Sequence, residues 1–199
     1  AMNLLHGEEM NSQKTIELGG RSVGVNHAPF VIAEMSGNHN QSLERALAIV
    51  DAAADAGADA IKLQTYTADS ITLDVRDGEF KVSDPSNLWS GRTLHDLYQE
   101  AHTPRDWHAE IFRRSRERGL LCFSSPFDEE AVDFLESLDA PAYKIASFEN
   151  IHLPLIRKVA ATGKPVIIST GMASLAELDE ATSTAREAGC KELILLKCT

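Results

Sequence analysis

Two lysines stand inside apolar runs where a charged side chain is costly. Lys62 interrupts "DAIKLQ" (59–64) and Lys144 interrupts "AYKIAS" (142–147). Side chains alternate along a strand, so Lys62 and Gln64 share one face while Ile61 and Leu63 share the other. A buried ammonium needs an anion, which is either an internal carboxylate or a ligand. Hydroxyls accompany both lysines: Ser124-Ser125, Ser147 and Ser169-Thr170 all close apolar runs, and Lys197 with Thr199 repeats the pattern at the end of the sequence. Inward cations flanked by hydroxyl donors suit a small, multiply charged anion carrying phosphate or carboxylate oxygens. Glu34 closes "FVIAE" (30–34). It can pair with a lysine or exchange protons with a polyhydroxy substrate.

Other chemistries stay open at this level. A lysine inside a barrel can be the amine of a Schiff-base aldolase, and the same cations would serve a non-catalytic anion-binding module. His39 is a candidate ligand-loop residue, whereas His95, His102, His108 and His152 show no H-x-x-x-H or H-E-x-x-H spacing, so no metal ligand is assigned. Asp128, Glu129 and Glu130 suit the first turn of a helix after Pro126, and Trp107 and Met172 read as packing residues.

The elements that must position these groups follow a β-α rhythm. Apolar runs at 30–34, 59–64, 120–125, 142–147, 165–170 and 192–198 alternate with helical periodicity, and Gly57, Gly119, Gly163 and Gly189 stop four of the helices. Near-continuous apolar strands mean a parallel sheet covered on both faces. Polar groups recur at nearly every strand's C-terminal end, and no G-x-G-x-x-G or Walker loop is present, which selects a (β/α)8 TIM barrel over an open doubly wound sheet. Ahead of it, residues 15–25 read as a short hairpin turning at Gly19-Gly20. A full barrel takes around 250 residues, so this one is expected to stop after about six strands, as a partial barrel over 14–199. Residues 1–13 read as a leader, with Ala1-Met2 as an expression remnant.

Composition narrows the partners. The chain has 199 residues, 43% of them hydrophobic, with a formal net charge of −11 and no basic run, which argues against nucleic acid and anionic membrane surfaces. Cys122, Cys190 and Cys198 lack metal or C-x-x-C spacing and read as small buried hydrophobes in a reducing cytoplasm. No apolar run approaches the roughly 18 residues of a membrane span.

Three blocks, "VIAEMSGNHNQSLERALAIVDAAADAGADAIKLQTYTADSITLD", "SSPFDEEAVDFLESLDAPAYKIASFE" and "GKPVIISTGMASLAELDEA", resemble the sialic acid synthase family, nearest its pseudaminic acid synthase branch. The likeness runs from about residue 14 to the last. It implies a (β/α)8 barrel condensing phosphoenolpyruvate with an open-chain N-acetylated amino sugar, 2,4-diacetamido-2,4,6-trideoxy-L-altrose in that branch, with release of phosphate. N-acetylneuraminate and legionaminate synthesis are the neighbouring alternatives. By motif, the resemblance implies that Lys62 and Lys144 hold the phosphoenolpyruvate anion and that Ser125, Ser147 and Ser169 donate to its oxygens. Gln64 would contact the sugar and Glu34 would serve as acid or base. Ser125 stands where family members commonly carry threonine, and the hydroxyl is kept. The resemblance further implies a divalent manganese or magnesium ion whose histidine ligands lie beyond residue 199. A homodimer and a C-terminal antifreeze-like domain, also absent here, complete the implied enzyme, so this length alone is expected to be inactive.

Overall fold

The computed structural model describes residues 15–87 and 89–197. The leader reading of 1–13, Cys198 and Thr199 therefore lie outside the described residues. Strands β1 (Ile16–Leu18) and β2 (Arg21–Val23) form the antiparallel hairpin, with Ile16 opposite Val23 and Leu18 opposite Arg21. Gly19 and Gly20 turn it at φ +57° and +83°, as a two-residue turn with left-handed residues at both centres requires. Gly19 is fixed a second time, because a Cβ there would run into the Leu121 side chain.

Six parallel strands follow in simple sequence order: β3 (Ile32–Glu34), β4 (Ala60–Thr65), β5 (Leu121–Pro126), β6 (Tyr143–Ile145), β7 (Val166–Ser169) and β8 (Leu193–Leu196). Each pairs only with its neighbours in the chain, which is the topology of successive β/α units of a TIM barrel. The main crossover helices are α1 (Leu43–Asp55), α4 (Arg105–Glu117), α5 (Glu129–Glu136), α6 (Leu153–Ala160) and α7 (Leu175–Glu187). Between β4 and α4 the long insertion folds two further helices, α2 (Ala68–Ile71) and α3 (Leu94–Ala101).

Local chemistry sets these boundaries. Ser42 caps α1 by accepting the Arg45 N–H, and Ser174 and Glu177 form a reciprocal capping box at α7. Asp128 caps α5 and Glu129 and Glu130 occupy its first turn, as their spacing predicts. The four glycines read as helix stops all have positive φ.

Alternation divides the apolar residues between two layers. Ile61, Leu63, Cys122, Tyr143, Ile145, Val166 and Ile168 face outward and pack with the buried sides of the helices. Ala60, Phe123, Ala142 and Ile167 face inward, with Leu18 of the hairpin and partly buried Ile32, Leu121 and Ile194. The hairpin thus plugs the floor of the barrel at the N-terminal ends of the strands. Polar inward positions begin above that floor.

Candidate functional site

Strand register sets the polar groups at successive inward levels toward the C-terminal ends of the strands. Glu34 lies beside Lys62 on the neighbouring strand, and Gln64 lies beside Ser125. Ser124 is level with Tyr143, so Ser125 is level with Lys144 on the inward face. Lys62 is buried, and its Nζ lies 2.8 Å from Glu34 Oε2 and 3.4 Å from Ser125 Oγ. Of the two anions open to Lys62, an internal carboxylate or a ligand, the structure supplies the first in Glu34, whose own side chain remains 54% exposed and so reaches the open end of the barrel. Gln64 is half-buried beside this group.

A second centre is built on β6 and β7. The buried Lys144 donates to Ser169 Oγ at 2.6 Å and to the Ile145 carbonyl at 2.7 Å. Beyond β6 the chain enters a 3-10 turn, Ser147–Ile151, that folds back over the strand ends. Asn150 ties this turn to β7 by donating to the carbonyls of Ser169 and Thr170 at 3.2 and 2.9 Å. Gly171, at φ +52°, passes so close to Ser147 that an added Cβ would sit 2.8 Å from the serine Cβ. Ser147, Asn150, Gly171 and the exposed Phe148 and Met172 border a cavity of about 490 Å³.

The structure brings Glu34, Lys62, Gln64 and Ser125 into one group and Lys144, Ser147 and Ser169 into the next. It gives other residues different places. His39 is fully buried, with Nε2 3.1 Å from Thr103 Oγ1, and burial, aided by His102, pulls its pKa down. It supports the loop after β3 from within. Lys197 is exposed. Trp107 packs against the outer core, whereas Met172 is 93% exposed and does not pack as its apolar character predicts. The left-handed turn at Gly171 throws it outward onto the rim.

Glu149 was not singled out by its sequence context. One of its carboxylate oxygens, Oε2, is buried without a hydrogen-bond partner, and burial raises its pKa although His152 and Lys144 act against that. The available signal was position, two residues beyond Ser147 in the loop leaving a lysine-bearing strand. Tyr66, Tyr98 and Phe127 form a second unforeseen feature, an edge-to-face aromatic cluster just beyond β4 and β5. Burial pushes the Tyr66 phenol up to about 12.

The NeuB family model matches residues 49–199. Pseudaminic acid synthase of Campylobacter jejuni subsp. jejuni is 48% identical over 170 residues, covering 85% of this chain and 49% of the relative, and that of Helicobacter pylori is 46% identical with the same coverage. Among solved structures, the N-acetylneuraminic acid (sialic acid) synthetase of Leptospira borgpetersenii, in complex with citrate, superposes with a TM-score of 0.79 at 31% identity. The match covers 94% of this chain and 60% of that one. The chain spans about half the length of the curated relatives it matches.

Proposed function

The chain belongs to the NeuB family, and from that we propose that it supplies the phosphoenolpyruvate half of a pseudaminic acid synthase site. The observation that carries this reading is the pair of buried lysines on the inward face of β4 and β6, each beside a serine hydroxyl of the next strand: Lys62 with Ser125 and Lys144 with Ser169. Two fixed cations with hydroxyl donors match one carboxylate and one phosphate on a three-carbon frame. Ser147, beside Gly171, is a third hydroxyl donor for the same anion. The citrate bound to the Leptospira synthetase is likewise a small polyanion.

In this reading the methylene carbon of phosphoenolpyruvate attacks the aldehyde carbon of the open-chain sugar, 2,4-diacetamido-2,4,6-trideoxy-L-altrose. Water adds at the former enol carbon, and phosphate leaves with its bridging oxygen by C–O cleavage. Lys62 and Lys144 hold the anion in place, which converts an encounter of two solutes into a positioned reaction. Gln64, two residues beyond Lys62 on the same inward face, hydrogen-bonds the sugar. Glu34 faces both the anion and the opening and moves the proton at the sugar carbonyl oxygen. The carboxyl of Glu149, in the loop after β6 and within the electrostatic reach of Lys144, is a second candidate to carry a proton. No group of three or more His, Cys, Asp or Glu among the described residues could hold a metal ion. The divalent manganese or magnesium ion of the proposed holoenzyme therefore has no fitting ligand set among the described residues. We place the reaction in the cytoplasm, carried out by a homodimer. Among the described residues no helix is long and apolar enough to cross a membrane.

The test is phosphate release by the protein as its gene encodes it, with manganese present, from phosphoenolpyruvate plus the diacetamido altrose or N-acetylmannosamine. Turnover of the first sugar with at least tenfold higher kcat/KM is expected. Preference for N-acetylmannosamine overturns the pseudaminate assignment, and borohydride trapping of a lysine overturns the phosphoenolpyruvate role.

A further inference from the structure

On the outer side of β4 and β5, behind the anion site, three polar side chains are buried in the apolar layer between sheet and helices. They are Thr65, Ser124 and His108 of α4, and none is more than 1% exposed. His108 Nδ1 is 3.0 Å from the Pro104 carbonyl, which can only accept, so Nδ1 carries a proton. Burial drives the imidazole pKa down to about 4 and leaves the ring neutral. Nε2 is then an acceptor, and Thr65 Oγ1, 2.9 Å away, donates to it. The Thr65 oxygen is in turn 2.6 Å from Ser124 Oγ, which donates to it. The chain thus runs one way, Ser124 to Thr65 to His108 to the Pro104 carbonyl, with each tautomer and rotor set by the next.

Its placement gives it a consequence. Thr65 follows Gln64, and Ser124 precedes Ser125, while Gln64 and Ser125 are register partners on the opposite face. The network joins the C-terminal ends of β4 and β5 immediately behind the residues that turn inward, and anchors both to α4. Buried, fully paired polar networks specify one arrangement where an apolar contact of the same size would tolerate several. We infer that His108 is a positioning residue: through Thr65 and Ser124 it fixes the spacing of Lys62 and Ser125, and so the affinity of the anion site. This rests on the phosphoenolpyruvate reading of that site.

The experiment uses the protein as its gene encodes it, with metal and both substrates. Thr65→Val keeps the side-chain shape and removes the middle of the chain. It is expected to raise the KM for phosphoenolpyruvate about tenfold, raise the sugar KM by less through its neighbour Gln64, and shift Tm by only a few degrees. Adding Ser125→Ala to Thr65→Val should cost less than the product of the two single effects. His108→Gln is compared with His108→Ala, and the glutamine, able to accept from Thr65, should recover part of the loss. In nitrogen NMR, His108 should show a protonated Nδ1 and an unprotonated Nε2 whose shift moves in Thr65→Val. A lowered Tm with unchanged KM for phosphoenolpyruvate, or the opposite tautomer, overturns the positioning role. Lys62→Ala with an unchanged KM for phosphoenolpyruvate overturns the underlying site reading instead, so the two failures are told apart.

Discussion

Lys62 and Glu34 form an ion pair with unequal surroundings: the ammonium is buried on β4, and the carboxylate 2.8 Å away is more than half in solvent. Glu34 therefore occupies part of the charge an incoming anion would use. Glu34→Gln removes that competitor. The KM for phosphoenolpyruvate should stay level or fall by a few-fold while kcat drops at least a hundredfold, measured by phosphate release. A rise in that KM with unchanged kcat would show that Glu34 acts by binding the anion's surroundings and moves no proton.

Lys62→Met tests the cation. The methionine retains most of the stem and removes a buried charge, and the exposed Glu34 returns to water, so folding stability should change by less than about 1 kcal/mol. The KM for phosphoenolpyruvate should rise a hundredfold or more. Urea melts and steady-state kinetics on the same preparation separate the two effects.

Acid should weaken the fold before the carboxylates titrate. Unfolded histidine takes up a proton near pH 6.5, whereas buried His108 does so only near 4. Between these values the unfolded chain binds more protons, so stability rises with pH across the window, is complete above it, and is lost as pH falls toward 4. Two and a half pH units at about 1.4 kcal/mol each put the stability lost across the window through His108 at roughly 3–4 kcal/mol. His39 is shifted in the same direction. Urea unfolding at pH 4.5, 5.5 and 7 should show the slope, and His108→Phe should flatten it. An unchanged slope in that variant refutes the assignment.

Gly171→Ala places a Cβ 2.8 Å from that of Ser147 in a left-handed backbone conformation. The conformation alone costs about 1–2 kcal/mol, and the contact pushes Ser147 away from the anion. A lower Tm together with a severalfold higher KM for phosphoenolpyruvate is expected. Ala173, two residues on in the same loop, provides the control: Ala173→Ser should leave both unchanged.

Asp128→Ala removes the side chain that accepts the Ala131 N–H at 2.6 Å. Loss of this cap should cost about 1 kcal/mol with no change in either KM, because the acid serves the helix start. A change in kcat would give it a place in the chemistry.

The β-α order was legible because apolar runs and glycine stops are local signals, and β4 and β5 lie within a residue of their expected bounds. Alternation alone sufficed to turn Lys62 and Gln64 inward. What escaped depends on partners distant in sequence. Helices α2 and α3 are stabilised by contacts such as the ring pair Tyr66–Tyr98, which no local pattern announces. His108 read by default as a surface or core histidine with no metal role, and its acceptor role requires Thr65, 43 positions away, to be its neighbour. Met172 misled for the opposite reason: its apolar character said core, and one left-handed glycine before it decided otherwise.

The hairpin that plugs the barrel floor has a kinetic side. Leu18 precedes all six parallel strands, yet the inner cluster it belongs to extends to Ile167 and, at the far edge, Ile194. Contacts spanning so much of the chain form late, because loop closure must be met before they contribute. The plug must therefore wait for the strands to gather, and until it docks, the floor of the anion site is open to water.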